Sequence, residues 1–262
     1  MPRIVSYNVH RCLGVDGKLS PKRIADVIAP CEPDIVALQE LDVGRARTGG
    51  IDQAHAIAEA LGMQMHFHPA LRVMEEQYGD AILTARPSRI VKTGPLPGLA
   101  GWLHMEPRGA LWAAVQIQGA ELQIINIHLG LRGPERLVQI NALLGPEWLG
   151  HAANRGPVII AGDMNAVPRS RVYQRLATRL CDAQRAPHVP RPQHTFPARL
   201  PMLRIDHVFV SPSIEVLRAS TLRGPIARVA SDHLPLMVEF QIRRSHERHS
   251  AGTRRTVAIG SS

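Results

Sequence analysis

Apolar residues fall in short runs along this chain, separated by stretches rich in Gly, Pro, Asn and Asp. Runs at 3–8, 34–39, 63–68, 80–84, 111–118, 122–128, 158–161, 205–210, 215–221 and 236–242 are of strand length, rich in Val, Ile and Leu, and bounded by those breakers. Helical spacing appears between some of them. Ser20-Pro21 supplies an N-cap and a proline at the first helical position, and Ile24, Val27 and Ile28 then share one face up to Pro30. Residues 53–61 repeat the pattern, with Ile57 and Leu61 four apart and Gly62 as the C-terminal cap. Residues 135–152 carry the longest helical pattern, with Leu137, Ile140, Leu144 and Leu149 on a buried face and Gly145-Pro146 expected to kink or interrupt it.

Strands outnumber helices, and the link between runs 111–118 and 122–128 is too short for a crossover helix, so these two should form an antiparallel hairpin. Other runs have helices between them. An α/β sandwich accommodates both: two mixed sheets packed face to face, with helices on the outer sides.

Composition adds a size and a charge. The 262 residues, 45% hydrophobic and 20% charged, are enough for one sizeable core and are far from the composition of a disordered chain. A single domain is expected over 1–242, followed by a basic tail at 243–262 in which Arg243, Arg244, Arg248, Arg254 and Arg255 stand among Ser, Gly and His and which reads as disordered. The net charge of +9 draws anions at long range, which suits phosphate-bearing partners. Cys12, Cys31 and Cys181 are far apart and form no Cys-x-x-Cys pair, so neither a disulfide framework nor a thiolate metal site is indicated. With no signal peptide and no 18-residue apolar stretch, the expectation is a cytoplasmic monomer without a transmembrane segment, able at most to touch an anionic membrane peripherally.

The chemistry is read from how the apolar runs end. Tyr7-Asn8-Val9-His10, Leu38-Gln39-Glu40, Asn126-Ile127-His128 and Gly162-Asp163-Met164-Asn165 each close a strand-like run with an acid, an amide or an imidazole. Ile205-Asp206-His207 and Ser231-Asp232-His233 add two more. On a strand, Asp163 and Asn165 would point the same way, as would Asn8 and His10. Adjacent Asp232 and His233 would diverge on a strand and can serve one site only from a loop.

In this order the segments resemble the endonuclease/exonuclease/phosphatase superfamily, which spans deoxyribonucleases, apurinic endonucleases, sphingomyelinases and inositol polyphosphate phosphatases. The resemblance runs from Tyr7 to about Phe240 and is specific as an ordered set. It implies the deoxyribonuclease-like four-layer α/β/β/α fold and a Mg²⁺ site, with Mn²⁺ as the alternative. Glu40 is then the main metal ligand, with Asn8 and Asp232 near the same ion. Asp163 resembles the residue that orients or deprotonates the attacking water, Asn165 the amide that fixes water and phosphate, and His233 the imidazole on a phosphoryl oxygen. Asp206 resembles the carboxylate behind His233, and His128 the histidine that contacts phosphate or protonates the leaving oxygen. Whether Asp163 or the Asp206/His233 pair is the base stays open. Tyr78 and Arg108 lie in two further matching segments and, with Thr195 and His10, are candidate substrate contacts, Arg108 being as readily a buried structural arginine. His10 departs from the pattern, since nuclease members often carry an acid there; it either thins the metal shell or adds a phosphate donor.

The sequence thus points to a phosphodiester-hydrolysing enzyme with in-line attack by activated water. Nucleic acid leads as substrate because of the charge, although aromatic residues are only 4%, which leaves few platforms for stacking bases. A phospholipid head-group or phosphomonoester is the alternative, with the tail arginines and the 96–102 loop able to meet an anionic bilayer. The rival from outside enzymes is a non-catalytic binder of polyanions or membranes.

Overall fold

A computed structural model describes residues 1–99 and 105–243. The basic tail from 244 onward, and residues 100–102 of the loop assigned above to bilayer contact, lie outside the described residues. The strands are β1 (Arg3–Asn8), β2 (Ile35–Val43), β3 (Gln64–Val73), β4 (Glu76–Thr84), β5 (Ser88–Leu96), β6 (Arg108–Ile117), β7 (Ala120–His128), β8 (Val158–Asp163), β9 (Cys181–Asp182), β10 (Asp206–Val210), β11 (Ile214–Thr221) and β12 (Leu236–Ile242). The helices are α1 (Pro21–Ile28), α2 (Gln53–Leu61), α3 (Gly133–Leu143), α4 (Arg171–Ala177) and α5 (Ala227–Ala230).

Two six-stranded sheets result, ordered β11-β12-β1-β2-β4-β3 and β5-β6-β7-β8-β10-β9. Each is mixed: β1 runs parallel to β2 and β7 parallel to β8, while the remaining pairs are antiparallel. The β6–β7 hairpin expected from its short link is present. Alternation of side chains sends Ile4, Ile35 and Val238 of the first sheet and Leu111, Ile124 and Ile159 of the second into one core between the sheets. The opposite faces bury Val5 and Leu38 under Ile24, Ile28 and Ile57 of α1 and α2, and Trp112, Ile125 and Ile160 under Ile140, Leu143 and Leu176 of α3 and α4. This is the four-layer α/β/β/α sandwich.

Local chemistry sets the element ends. Ser20 Oγ accepts from Arg23 N and Asp52 Oδ1 from His55 N, which satisfies first-turn N–H groups of α1 and α2. The pattern over 135–152 is helical only to Leu143; Gly145-Pro146 ends the helix, and the following segment closes in turns around Gly145 O. Strand β5 was not anticipated. It lies at a sheet edge, where Arg89, Lys92 and Pro95 are tolerated because one side faces solvent, and those residues blur the alternation. The two-residue β9 and the short α4 were missed for lack of length.

Candidate active site

Register brings the chemistry together. His128, Asp163 and Asp206 are direct partners on the ends of β7, β8 and β10. Gly162 makes this possible: at φ +146° its missing side chain leaves room for the Ile127 carbonyl of β7. Asn8 ends β1 in the facing sheet, and its Nδ2 donates to Asp163 Oδ2 at 3.0 Å and to Glu40 Oε1 at 2.8 Å. One amide therefore ties the two sheets together at their reactive edge.

Glu40 arrives by a bulge. The β2–β4 register slips between Leu38 and Leu41, and Glu40 adopts φ +62°, which turns its carboxylate toward Asn8 rather than along the pleat. Gln39, one residue earlier, is wholly buried and donates to Asn126 Oδ1 at 2.7 Å, while Asn126 Nδ2 donates to the Leu38 and Ala81 carbonyls. These two amides of the quoted segments bridge the sheets instead of reaching the cleft.

The period-two argument for Asp163 with Asn165, and for Asn8 with His10, does not describe their geometry. β8 stops at Asp163 and β1 at Asn8, and Asn165 and His10 follow with φ +48° and +46°. Each pair is joined by a turn in which the first side chain caps the second backbone: Asp163 Oδ1 accepts from Asn165 N at 2.8 Å, and Asn8 Oδ1 from His10 N at 3.1 Å. Asn8 thereby commits its oxygen to His10 and presents N–H, not oxygen, to the carboxylates. Asp232 and His233 lie in a loop as expected. Ser231 Oγ pins that loop, donating to Asn8 O at 2.8 Å.

The imidazoles differ in kind. His233 Nδ1 lies 2.9 Å from Asp206 Oδ2, and its Nε2 is 3.7 Å from Asp163 Oδ2. Burial alone would favour the neutral ring, but Asp206 and Asp163 outweigh it and hold its proton on. Burial pushes the Asp163 carboxyl up, and the neighbouring Asp206 adds to the shift. His128 is the reverse case: burial, then Arg108 and His233, push it well below the ordinary imidazole range. Arg108 Nη1 sits 2.8 Å from His128 Nδ1, and a guanidinium can only donate, so the neutral ring carries its proton on Nε2. That Nε2 lies 3.6 Å from Asp163 Oδ2 and 3.8 Å from Glu40 Oε1.

These groups open into one cleft of about 660 Å³. Of the anticipated residues, Glu40, Asp163, Asn165, His128, Asp232, His233, His10, Tyr78 and Arg108 line it. Asn8 and Asp206 stand behind the lining and hold it. Thr195 is fully buried and is not part of the cleft's lining; its neighbour Phe196 is, 4.8 Å from the His233 ring. Tyr78 is buried under the Arg47 guanidinium, 5.4 Å from its ring centre. Arg108 splits its guanidinium between His128 and Glu106 Oε2 at 2.9 Å, so it both walls the cleft and sets a tautomer. The sequence reading missed Arg11, Arg47, Glu106 and Arg136 in the lining. For Arg47 a signal existed in the buried Asp42 five residues back, which needs the bidentate bond it receives at 2.7 and 2.6 Å.

The donor set suits a hard divalent cation. Glu40, Asp163 and Asp232 bring carboxylates to one cleft without a thiolate, and ligand atoms of Asp163, Asp206 and His233 lie within 4.8 Å of one another. Two carboxylates about 4 Å apart repel by about 4 kcal/mol at an effective dielectric of 20, a cost that a counter-ion removes.

A two-sheet sandwich whose facing strand ends converge acids, amides and imidazoles on one cleft defines a class of phosphoesterase-like proteins. The chain belongs to the Endonuclease/Exonuclease/phosphatase family, whose model matches residues 5–233. Members of that family are generally hydrolytic phosphoesterases and typically use a divalent metal. Among relatives, the uncharacterized protein YbhP of Escherichia coli K12 is 25% identical over 252 residues, covering 92% of this chain and 96% of its own. The fold is shared with the mannosyl-6-phosphatase of Bacteroides thetaiotaomicron (TM-score 0.72, 24% identity, 92% of this chain and 100% of the other). It is shared also with the human Nocturnin catalytic domain with bound sulfate (TM-score 0.69, 22% identity, 92% and 94%).

Proposed function

We propose that the protein is a Mg²⁺-dependent phosphoesterase, with Mn²⁺ as a substitute, that cleaves its ester by in-line attack of water. The observation that carries this reading is the convergence of Asp163, His128 and His233, from three separate segments, on one cleft with the Glu40 carboxylate. Asp163 is the base. Both of its oxygens are held, by Asn8 Nδ2 and Asn165 N, and its raised affinity for a proton suits it to take one from water near neutral pH. His233, kept protonated by Asp206, cannot serve as base and instead donates through Nε2 to a phosphoryl oxygen as negative charge grows there. His128 Nε2–H and Asn165 Nδ2 lie 3.3 Å apart, and each is a donor that the other cannot satisfy. One further phosphoryl or leaving oxygen would accept from both. A bound cation, held by Glu40 and Asp232, would supply charge neutralisation at the phosphate. A polyanion binder without chemistry has no use for this base and donor arrangement.

The test is hydrolysis of a small soluble diester, bis-p-nitrophenyl phosphate, with Mg²⁺, Mn²⁺ or a chelator. Wild type should turn over only with metal. Glu40→Gln should keep its fold by circular dichroism, lose metal affinity by calorimetry, and lose on the order of 10²-fold in turnover, since cation neutralisation is worth several kcal/mol. Unchanged metal affinity and turnover in Glu40→Gln would remove Glu40 from the ligand set. The organic groups on the ester are selected by the rim of the cleft, not by these residues.

A further inference from the structure

That rim is aliphatic and cationic. Leu131, in the turn between β7 and α3, is 72% exposed, and Val167 and Leu203 are exposed in two other loops where they line the same cleft. Val167 and Leu203 also line an adjoining recess, so the two hollows are continuous there. The recess adds Met202 with exposed Arg169, Arg185 and His194, and no carboxylate is part of its lining. Leu200 and Met202, 67% and 60% exposed, project from the loop that carries Leu203. Among the described residues none of the exposed large hydrophobic side chains is aromatic.

Base stacking needs planar rings, and the exposed large hydrophobic side chains of this rim are aliphatic; Tyr78 and the partly buried Phe196 lie inside the cleft, and His194 adds an imidazole to the recess. Aliphatic side chains next to arginines fit a different boundary, where acyl chains meet anionic headgroups. We propose that the rim docks on an anionic lipid bilayer, the Leu131 turn and the Leu200–Leu203 loop entering the headgroup layer while Arg169 and Arg185 meet its charge. The mouth of the cleft then faces headgroup phosphates. What the cleft does there rests on the phosphoesterase reading; the docking does not.

The experiment compares wild type with a Leu200→Asp/Met202→Asp double variant, whose side chains are exposed and stand outside the reactive cleft. Binding is measured by sedimentation with vesicles of equal parts phosphatidylglycerol and phosphatidylcholine, with pure phosphatidylcholine vesicles, and by anisotropy with duplex DNA, all at physiological salt. Wild type should bind the anionic vesicles at least roughly tenfold better than the neutral ones and than the double variant does. Turnover of bis-p-nitrophenyl phosphate should match in the two proteins. Equal vesicle binding by both, no binding of wild type to anionic vesicles, or tighter binding to duplex DNA than to vesicle lipid phosphate would each overturn the proposal. Vesicle binding as expected with no diester turnover in wild type would sink the phosphoesterase reading alone and support the docking surface.

Discussion

Two buried carboxylates flank the same stretch of chain, and each is matched with a cation. Asp182 meets Arg204 at 2.7 Å, accepts from Tyr173 Oη at 2.6 Å and from Gln184 N at 3.0 Å, and both ion-pair side chains are sealed from solvent. Asp206 meets His233 at 2.9 Å, but the far side of that ring looks into the cleft, 3.7 Å from Asp163. The first assembly turns its contacts inward, onto Tyr173, Gln184 and each other, and anchors β9 and α4 to the segment entering β10. The second leaves one N–H pointing at open space. An ion pair becomes reactive through the donor it presents to the cleft, not through burial or charge alone.

Breaking the sealed pair should have the largest effect on stability. Arg204→Ala strands the Asp182 carboxylate, and removal of one partner of a buried pair costs about 3–5 kcal/mol. Urea unfolding should register that loss, while turnover per folded molecule stays near wild type. Comparable stability in the variant would mean that the pair is not the anchor described.

A third buried carboxylate sharpens the contrast from the other direction. Among the described residues no cation forms a close ion pair with Asp80 on β4; burial raises it to about 7, against the opposing pull of Arg108. The folded state thus prefers the protonated acid relative to the unfolded value of 3.8. Stability from this group is full below that unfolded value and is lost as pH rises through about 7. Asp80→Asn, which keeps an acceptor for the Glu40 N–H, should therefore raise the melting temperature of chelator-treated protein at pH 7 and do so much less at pH 4. A pH-independent difference would contradict the assignment. The effect should be smaller than that of Arg204→Ala, because the acid can escape its cost by taking up a proton.

Much of this was legible before the fold. Apolar runs and punctuation carried ten of the strands and the layer order, because most of those strands are buried on both faces, between the other sheet and the helices, and read as near-continuous Val, Ile and Leu runs. What escaped them was structure that pattern does not encode: edge strand β5, whose outer side is free to be polar, and the bulge at Glu40, which has no glycine to announce it. The site residues were recognisable as a set of polar strand endings. Their convergence depends on turns at Asn165 and His10 and on cross-strand register, so the reason first assigned to Asp163 with Asn165 was not the one the fold uses. Arg108 illustrates a residue whose role is visible only in three dimensions, since its partner His128 lies one strand away.

The central claim is that Asp163 and His233 act together on one water and one phosphate. Turnover of bis-p-nitrophenyl phosphate should be measured for Asp163→Asn, His233→Ala and the double variant, each at saturating Mg²⁺ or Mn²⁺. Each single change should cost on the order of 10²-fold or more in turnover with a much smaller change in KM, as expected for groups that act when charge develops in the transition state. The double variant should lose far less than the product of the two single losses. Wild-type turnover in both single variants, or losses that multiply fully in the double, would contradict the account.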